Sequence, residues 1–347
     1  MVTRRAFRTL PAAFGSLYKM PSAPPLRVLL IGAGVMGSHH GRVIAQSEMT
    51  KLAAIIDPDA DRAQRLADRF GCPSAAGVDD FRDYDAIVVA SPTDTHVEWA
   101  EQALASGVPT LIEKPVAEEP GDVRRLIEMA RRSNTVLMCG FLERFNPAVM
   151  TAMDVVQAPV HILTTRHSPF EPRIKTGVAF DLLIHDVDLL LRMASSDVTT
   201  ITAQYSRAHP TSEGAGEDIA ELTVRFDGGL LASLSASRVS QRKVRAIEIA
   251  ELGQLIEVDL LRQDVTVYRH VGAELIESDR IGYRQQTIVD IPVIPYRHEP
   301  LGAQLEHFVG LVHGERDVEA ERASFLAPHE ILATAAEYAR ELERGAY

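Results

Sequence analysis

The sequence predicts a two-domain α/β protein: an N-terminal parallel sheet with helices packed around it, then a C-terminal α/β domain built on a broad, mostly antiparallel open sheet. Three observations carry this expectation. The 347 residues exceed the ~150 that one domain usually holds, so two are expected. Up to about residue 143, short continuous apolar runs alternate with helical stretches, as parallel strands buried on both faces do. Beyond that point apolar and polar residues alternate singly, the period of half-buried antiparallel strands.

Taken in chain order, residues 1–25 stand apart. Arg4, Arg5, Arg8 and Lys19 lie among small residues, and Pro21, Pro24 and Pro25 close the stretch. A secretory signal needs an apolar core of about 7–15 residues, which this segment lacks. It reads as a flexible tail, with Met20 an alternative start and a targeting segment the minority reading. Residues 26–143 form the first domain. Leu26 to Ile31, Leu52 to Ile56, Ala86 to Ala90, Thr110 to Ile112 and Thr135 to Met138 are its strands, linked by helices in right-handed crossovers. Residues 144–347 form the second domain. There Leu222, Val224 and Phe226 alternate with polar residues, Asp227-Gly228-Gly229 makes a turn, and Leu230 to Ser237 runs back. Ile247 and Ile249, then Ile256, Val258 and Leu260, then Val265 and Val267 extend the sheet, and helices over Leu301 to Val312 and Pro328 to Leu342 close the chain.

Composition narrows the function. With 48 acidic against 36 basic residues, the formal charge of -12 repels nucleic acid and anionic membranes unless a local basic patch intervenes. No uncharged apolar run approaches the ~20 residues of a membrane span. Cys72 and Cys139 form no C-x-x-C pair, so neither a disulfide framework nor a thiolate metal site is indicated, and a reducing cytoplasm is the natural compartment.

The first motif with chemical content is Gly32-Ala33-Gly34-Val35-Met36-Gly37, a G-x-G-x-x-G between a strand and a helix. Glycines there allow a tight turn and bring backbone N–H groups of Val35, Met36 and the helix N-terminus against a pyrophosphate. Asp57 follows twenty residues after Gly37, at the end of the second strand, where a carboxylate accepts hydrogen bonds from a ribose diol and repels a 2′-phosphate. The expected cofactor is therefore a dinucleotide, NAD in preference to NADP, in a Rossmann domain. A competing role for Asp57 is the helix cap before Pro58. Two more loops follow strand ends, at the ligand-binding edge of such sheets. Ser91-Pro92-Thr93 with His96 borders the cofactor, with Asp94 or Thr95 capping the next helix and His96 reading as a structural helix-start residue. In Glu113-Lys114-Pro115, Lys114 is placed to steady a developing alkoxide.

In the second domain, Asp181 and His185 are spaced i to i+4, so one helix face would carry both. A neutral imidazole takes a hydroxyl proton near pH 7, and a carboxylate beside it orients the ring. Asp188 is the next candidate base. A metal site on His185 and two carboxylates lacks a third firm ligand, so none is expected, and a core histidine satisfied by Asp181 is the bland alternative.

In this order and spacing, the glycine motif, Asp57, Pro92-Thr93, Glu113-Lys114-Pro115 and Asp181-x-x-x-His185-Asp186 resemble the Gfo/Idh/MocA oxidoreductases from about Leu26 to the C-terminus. The resemblance implies bound NAD(P), a C-terminal domain whose open sheet often mediates assembly into a homodimer or homotetramer, and Lys114, Asp181 and His185 as the catalytic group. The family also holds non-catalytic sugar-sensing regulators. The stretches Gly140 to Pro147 and Arg166 to Ile174 look closest to members that oxidise the 3-hydroxyl of UDP-N-acetylglucosamine or a related uronate. A polyol dehydrogenase of the myo-inositol type is the alternative, since it shares the Asp-x-x-x-His helix. Arg144, Arg166, Arg173 and Lys175 exceed what a neutral polyol requires, and guanidinium forks suit a diphosphate. The expected substrate set is thus Lys114, Arg144, Asn146, Arg166, Arg173, Asp181 and His185, with the oxidised hydroxyl between His185 and the nicotinamide.

Overall fold

A computed structural model describes residues 24–345 apart from 173, 175, 211–215, 278–279 and 296–298. Most of the tail, together with Arg173 and Lys175, therefore lies outside the described residues. The chain divides into two compact units. Residues 24–142 begin the first with β1 (Leu26–Ile31), α1 (Val35–Gln46), β2 (Thr50–Ile56), α2 (Ala60–Phe70), β3 (Ser74–Ala75), β4 (Ala86–Val89), α3 (His96–Ala105), β5 (Thr110–Glu113), α4 (Pro120–Arg132) and β6 (Leu137–Gly140). The sheet is parallel in the order β3-β2-β1-β4-β5-β6. That is the doubly wound order, and the direction in which strands are added reverses between β1 and β4, the switch point at which such sheets open a crevice for ligands. Val28 to Ile31 and Ala86 to Val89 are wholly buried, as their unbroken apolar runs require. The last strand begins two residues later than the apolar run suggested. Thr135 donates its N–H to Ala130, closing α4 after Asn134 takes a left-handed φ of 48°, so the chain is not free to pair until Leu137.

The second unit opens with α5 (Pro147–Val155), β7 (His161–His167) and α6 (Ile184–Met193). Strands β8 (Val198–Ser206), β9 (Ile219–Phe226), β10 (Leu231–Ser237), β11 (Val244–Ala250), β12 (Leu255–Asp259), β13 (Asp264–Glu277) and β14 (Arg280–Asp290) follow. They form one eight-stranded sheet, β14-β13-β12-β11-β7-β10-β9-β8, antiparallel throughout except where β7 runs parallel to β10. The expected hairpin is present: Gly228 and Gly229 sit at φ 103° and 92°, which only glycine adopts without strain, and turn β9 into β10. Ile162, Thr164 and Arg166 of β7, with Ala232, Leu234 and Ala236 of β10, face the side on which α6 packs.

The chain closes with α7 (Pro300–Val312), α8 (Val318–Ser324) and α9 (Leu326–Gly345). Residues 299–333 belong to the first unit, whereas periodicity alone placed them with the second. The physical reason is a set of long-range bonds. Buried His329 accepts the Val116 N–H at 3.1 Å, Arg322 donates to the Thr135 carbonyl, and Arg124 and Arg131 pair with Glu330 and Glu319.

Candidate active site

In the first unit, the strand-to-helix turn after β1 is built as a phosphate cradle. A Cβ on Gly32 would lie 2.4 Å from the Ala90 carbonyl oxygen and one on Gly37 would lie 1.9 Å from the Gly32 oxygen, so both glycines are required by close backbone approach. Gly34 differs: a Cβ there meets no protein atom within 4 Å, which leaves open the space a pyrophosphate needs. The N-terminus of α1 behind it has no side-chain cap and no acidic residue in its first turn, and Val35 is 53% exposed. Uncapped N–H groups and the helix dipole suit an anion at that point.

Asp57 is buried at the end of β2. Its Oδ2 accepts the Ala33 N–H at 2.8 Å and its Oδ1 accepts the Asp59 N–H at 2.9 Å, so it ties the glycine turn to the second strand. The cap of α2 is Asp59, which accepts the Arg62 N–H at 3.0 Å, rather than Asp57. A carboxylate has four lone-pair sites, so two remain for a ribose diol. Asp57→Ala is expected to weaken NAD binding and narrow the preference over NADP. Titration of both cofactors checks this, and a variant ratio equal to the wild type would remove Asp57 from the ribose.

The loops after β4 and β5 are joined through one buried imidazole. His96 Nδ1 lies 2.8 Å from the Pro115 carbonyl oxygen and Nε2 lies 2.9 Å from that of Ser91. Burial pushes its pKa down, against the pull of both carbonyls. This braces the loops and leaves neither ring nitrogen turned to a ligand. Thr95 occupies the cap position of α3, yet its hydroxyl donates to the Pro92 carbonyl and meets Ser91 Oγ at 2.7 Å instead of capping. Pro92 and Thr93 open that turn. Glu113 is likewise internal: His40 Nε2 donates to its Oε1 at 2.7 Å, and its Oε2 accepts the Lys114 N–H at 3.2 Å. Lys114, half-buried, follows directly at the carboxyl edge of β5, before a cis Pro115. Sequence reading missed His40, because its partner is 73 residues away.

In the second unit, the segment carrying Asp181 is not a plain α-helix. Ala179–Leu183 forms a π-helical turn, in which the Ile184 N–H reaches back to the Ala179 carbonyl, and α6 begins only at Ile184. The wider turn alters the i to i+4 stacking expected for Asp181 and His185; such turns recur at functional sites. Arg238, just past β10, donates to the Thr176 carbonyl at 2.7 Å and approaches Asp181 Oδ2 at 3.4 Å.

The arginines expected to meet a diphosphate are engaged elsewhere. Arg166 is fully buried, its Nε and Nη2 forking onto Asp186 at 2.9 and 2.8 Å while Nη1 donates to Glu143 at 2.9 Å. Arg144 forks onto Asp188 at 2.8 and 2.6 Å. Asn146 caps α5 through the Ala148 N–H and donates to Glu143 and the Leu260 carbonyl. These three residues are structural, and so is Asp188, which cannot serve as a spare base while Arg144 holds it. Two bidentate forks, at Asp186 and Asp188, instead anchor α6 on either side of Val187. They hold the helix that carries His185.

Burial works against the charge on Glu143, but Arg166 and then Arg245 outweigh it and hold its carboxyl below the usual range. Glu113 is depressed likewise, by His40 and Lys114 against burial. Depressed carboxylates bind fewer protons folded than unfolded, so their stabilisation is present above the unfolded glutamate pKa of ~4.3 and is lost as pH falls through the lower folded values. Acid unfolding should therefore begin below about pH 4.3. Glu143→Gln should flatten part of that slope in urea titrations run at several pH values; an unchanged slope would show that Glu143 titrates normally. Among the described residues, no group of three or more His, Cys, Asp or Glu side chains could hold a metal ion, and no helix is long and apolar enough to cross a membrane.

The glycine cradle and the doubly wound sheet are those of a Rossmann domain, and the comparisons with known proteins make this one an NAD-dependent oxidoreductase. Residues 26–141 match the family model described as an oxidoreductase family with an NAD-binding Rossmann fold, and residues 154–254 match its C-terminal domain model. The chain belongs to the GFO/IDH/MocA oxidoreductase family. It is 30% identical to UDP-N-acetylglucosamine 3-dehydrogenase of Acidithiobacillus ferrooxidans, over 84% of this chain and 90% of that one. A crystal structure of that enzyme superposes with a TM-score of 0.77 at 27% identity, covering 91% of this chain and 97% of the other. The NAD(+)-dependent scyllo-inositol 2-dehydrogenase of Bacillus subtilis is 26% identical over 72% of this chain and 78% of its own.

Proposed function

We propose that this protein oxidises a secondary hydroxyl of a sugar, the 3-hydroxyl of a UDP-N-acetylhexosamine-type nucleotide sugar. The observation that carries this is the extent of the likeness to the UDP-N-acetylglucosamine 3-dehydrogenase, which runs over 84% of the chain, against 72% at lower identity for the scyllo-inositol enzyme. In this reading His185 removes the hydroxyl proton, with Asp181 beside it favouring the imidazolium that forms. Lys114 steadies the charge on the oxygen. When bound, NAD accepts the hydride that leaves the same carbon, and a ketone results. The glycine turn holds the pyrophosphate and Asp57 the ribose. The protein works in the cytoplasm as a homodimer or homotetramer on a small-molecule substrate.

Formation of reduced nicotinamide, followed by absorbance with UDP-N-acetylglucosamine, its uronate, free N-acetylglucosamine and myo-inositol, tests the reading. Turnover of a UDP-sugar with poor use of free sugars is expected. Efficient oxidation of myo-inositol with no turnover of any UDP-sugar would replace the proposal with a polyol dehydrogenase. Tight NAD binding with no reduction on any substrate would point to a sensor.

A further inference from the structure

With Arg144 and Arg166 consumed by carboxylates, a negatively charged substrate needs other cations, and the net charge of -12 makes the need acute. The second unit supplies a pair. Strand register sets Arg245 of β11 directly beside Arg166 of β7, and Ala236 of β10 on the other flank, so all three side chains leave the same face of the sheet. That is the face on which Arg166 receives Asp186 from α6. Lys243 lies just before β11, two residues from Arg245; it is exposed, and both Arg245 and Arg166 act on its charge.

Two arginines side by side on neighbouring strands repel, and a sheet ordinarily avoids this. Arg166 is neutralised by its three bonds. Arg245 is not: its Nη1 reaches only Glu143 Oε1, at 3.2 Å, an oxygen already taken by Arg166 at 2.9 Å, and a third of its side chain is open to solvent. Counting Arg238 with its partner Asp181, four cations (Arg166, Arg238, Arg245 and Lys243) face three carboxylates (Glu143, Asp181 and Asp186) among the described residues, which leaves one positive charge in excess. The imbalance registers on the groups themselves. Burial and then Arg166 push the Arg245 pKa down, and Arg245 pushes that of Lys243 down. Asp181 pulls the other way on Arg245, so Arg245 lies within electrostatic reach of the π-turn that leads into His185. An anion seated on Arg245 and Lys243 would relieve this repulsion.

We propose that Lys243 and Arg245 form the subsite for the diphosphate of the substrate; this rests on the nucleotide-sugar reading above. Arg245 offers the planar fork that suits a phosphate and Lys243 a mobile point charge. A neutral cyclic polyol gives neither anything to bind. The subsite would accept a sugar carboxylate on the same charge grounds, so the test separates the two anions.

The test uses the full-length chain with saturating NAD. Charge-assisted contacts imply that Lys243→Ala raises the KM for UDP-N-acetylglucosamine roughly tenfold and Arg245→Ala roughly ten- to a hundredfold. In both, kcat should change little, and affinity for UDP alone should fall by a similar factor. Pyrophosphate should compete with UDP-N-acetylglucosamine in the wild type and lose potency in both variants, whereas loss of competition by free glucuronate instead would assign the subsite to a carboxylate and overturn the proposal. Melting temperature, as a check on folding, and NAD affinity, assigned above to the glycine turn of the other unit, serve as controls. Lys243 is exposed, so its variant remains informative if removing Arg245 disturbs Glu143. If the wild type turns over the UDP-sugar and the KM of Lys243→Ala stays within twofold, the subsite is elsewhere and the proposed function stands. If the wild type oxidises inositols and no UDP-sugar, the function falls and the subsite with it.

Discussion

His185→Ala is expected to lose roughly 10²- to 10⁴-fold in turnover, the usual contribution of a positioned general base. Its NAD affinity should be unchanged, because the groups proposed to hold pyrophosphate and ribose are the turn at Gly32 to Gly37 and the Asp57 carboxylate. Asp181→Asn should lose less: it removes a neighbouring charge and weakens a 3.4 Å contact with Arg238, but leaves the imidazole in place. Stopped-flow turnover at saturating NAD and a separate binding titration measure the two quantities. Near-normal turnover would move the base elsewhere. Asp188 would not then inherit the role, since Arg144 occupies both of its oxygens; Asp181 would be the next group to remove.

The second large effect concerns stability. Arg166→Ala leaves Asp186 and Glu143 buried without their main counter-charge. Breaking a buried pair from one side costs about 3–5 kcal/mol. For a domain of this size each kcal/mol moves Tm by about 2–4 °C, so calorimetry should register a fall of roughly 10 °C. Replacing Arg166 and Asp186 together by leucine should cost less than replacing Arg166 alone, because one of the two stranded carboxylates is then gone as well. A variant with unchanged Tm and a raised KM for a UDP-sugar would return Arg166 to the ligand-binding role that its charge suggested. The buried forks predict the opposite pattern, lowered stability with little change in KM among the molecules that remain folded.

Much of this architecture was legible before any coordinates, and the reason is locality. The run Leu26 to Ile31 announces a strand buried on both faces, and the alternation of Leu222, Val224 and Phe226 announces one buried on a single face, because each is a statement about neighbours two residues apart. The glycine turn was readable for the same reason: a strand, three glycines and a helix follow one another without interruption from Leu26 to Gln46, and the crowding at Gly32 and Gly37 bears it out. Asp227-Gly228-Gly229 needed only the positive φ values that glycine tolerates.

What tertiary structure decided was which charged side chain meets which. Arg144 and Asp188 lie 44 residues apart, Arg166 and Glu143 23, His40 and Glu113 73, and Val116 and His329 213. An arginine before a catalytic helix reads the same in sequence whether it awaits a phosphate or is already forked onto a carboxylate. The difference is strand register and burial, while long-range bonds such as Val116 to His329 assigned residues 299–333 to the first unit. The sequence by itself determined a dinucleotide-binding α/β protein with a histidine-bearing helix, since these follow from periodicity and local backbone demands. The fold alone decided that Arg144 and Arg166 support that helix while Arg245 stays under-neutralised, because burying a charge forces it to find its partner in space rather than along the chain.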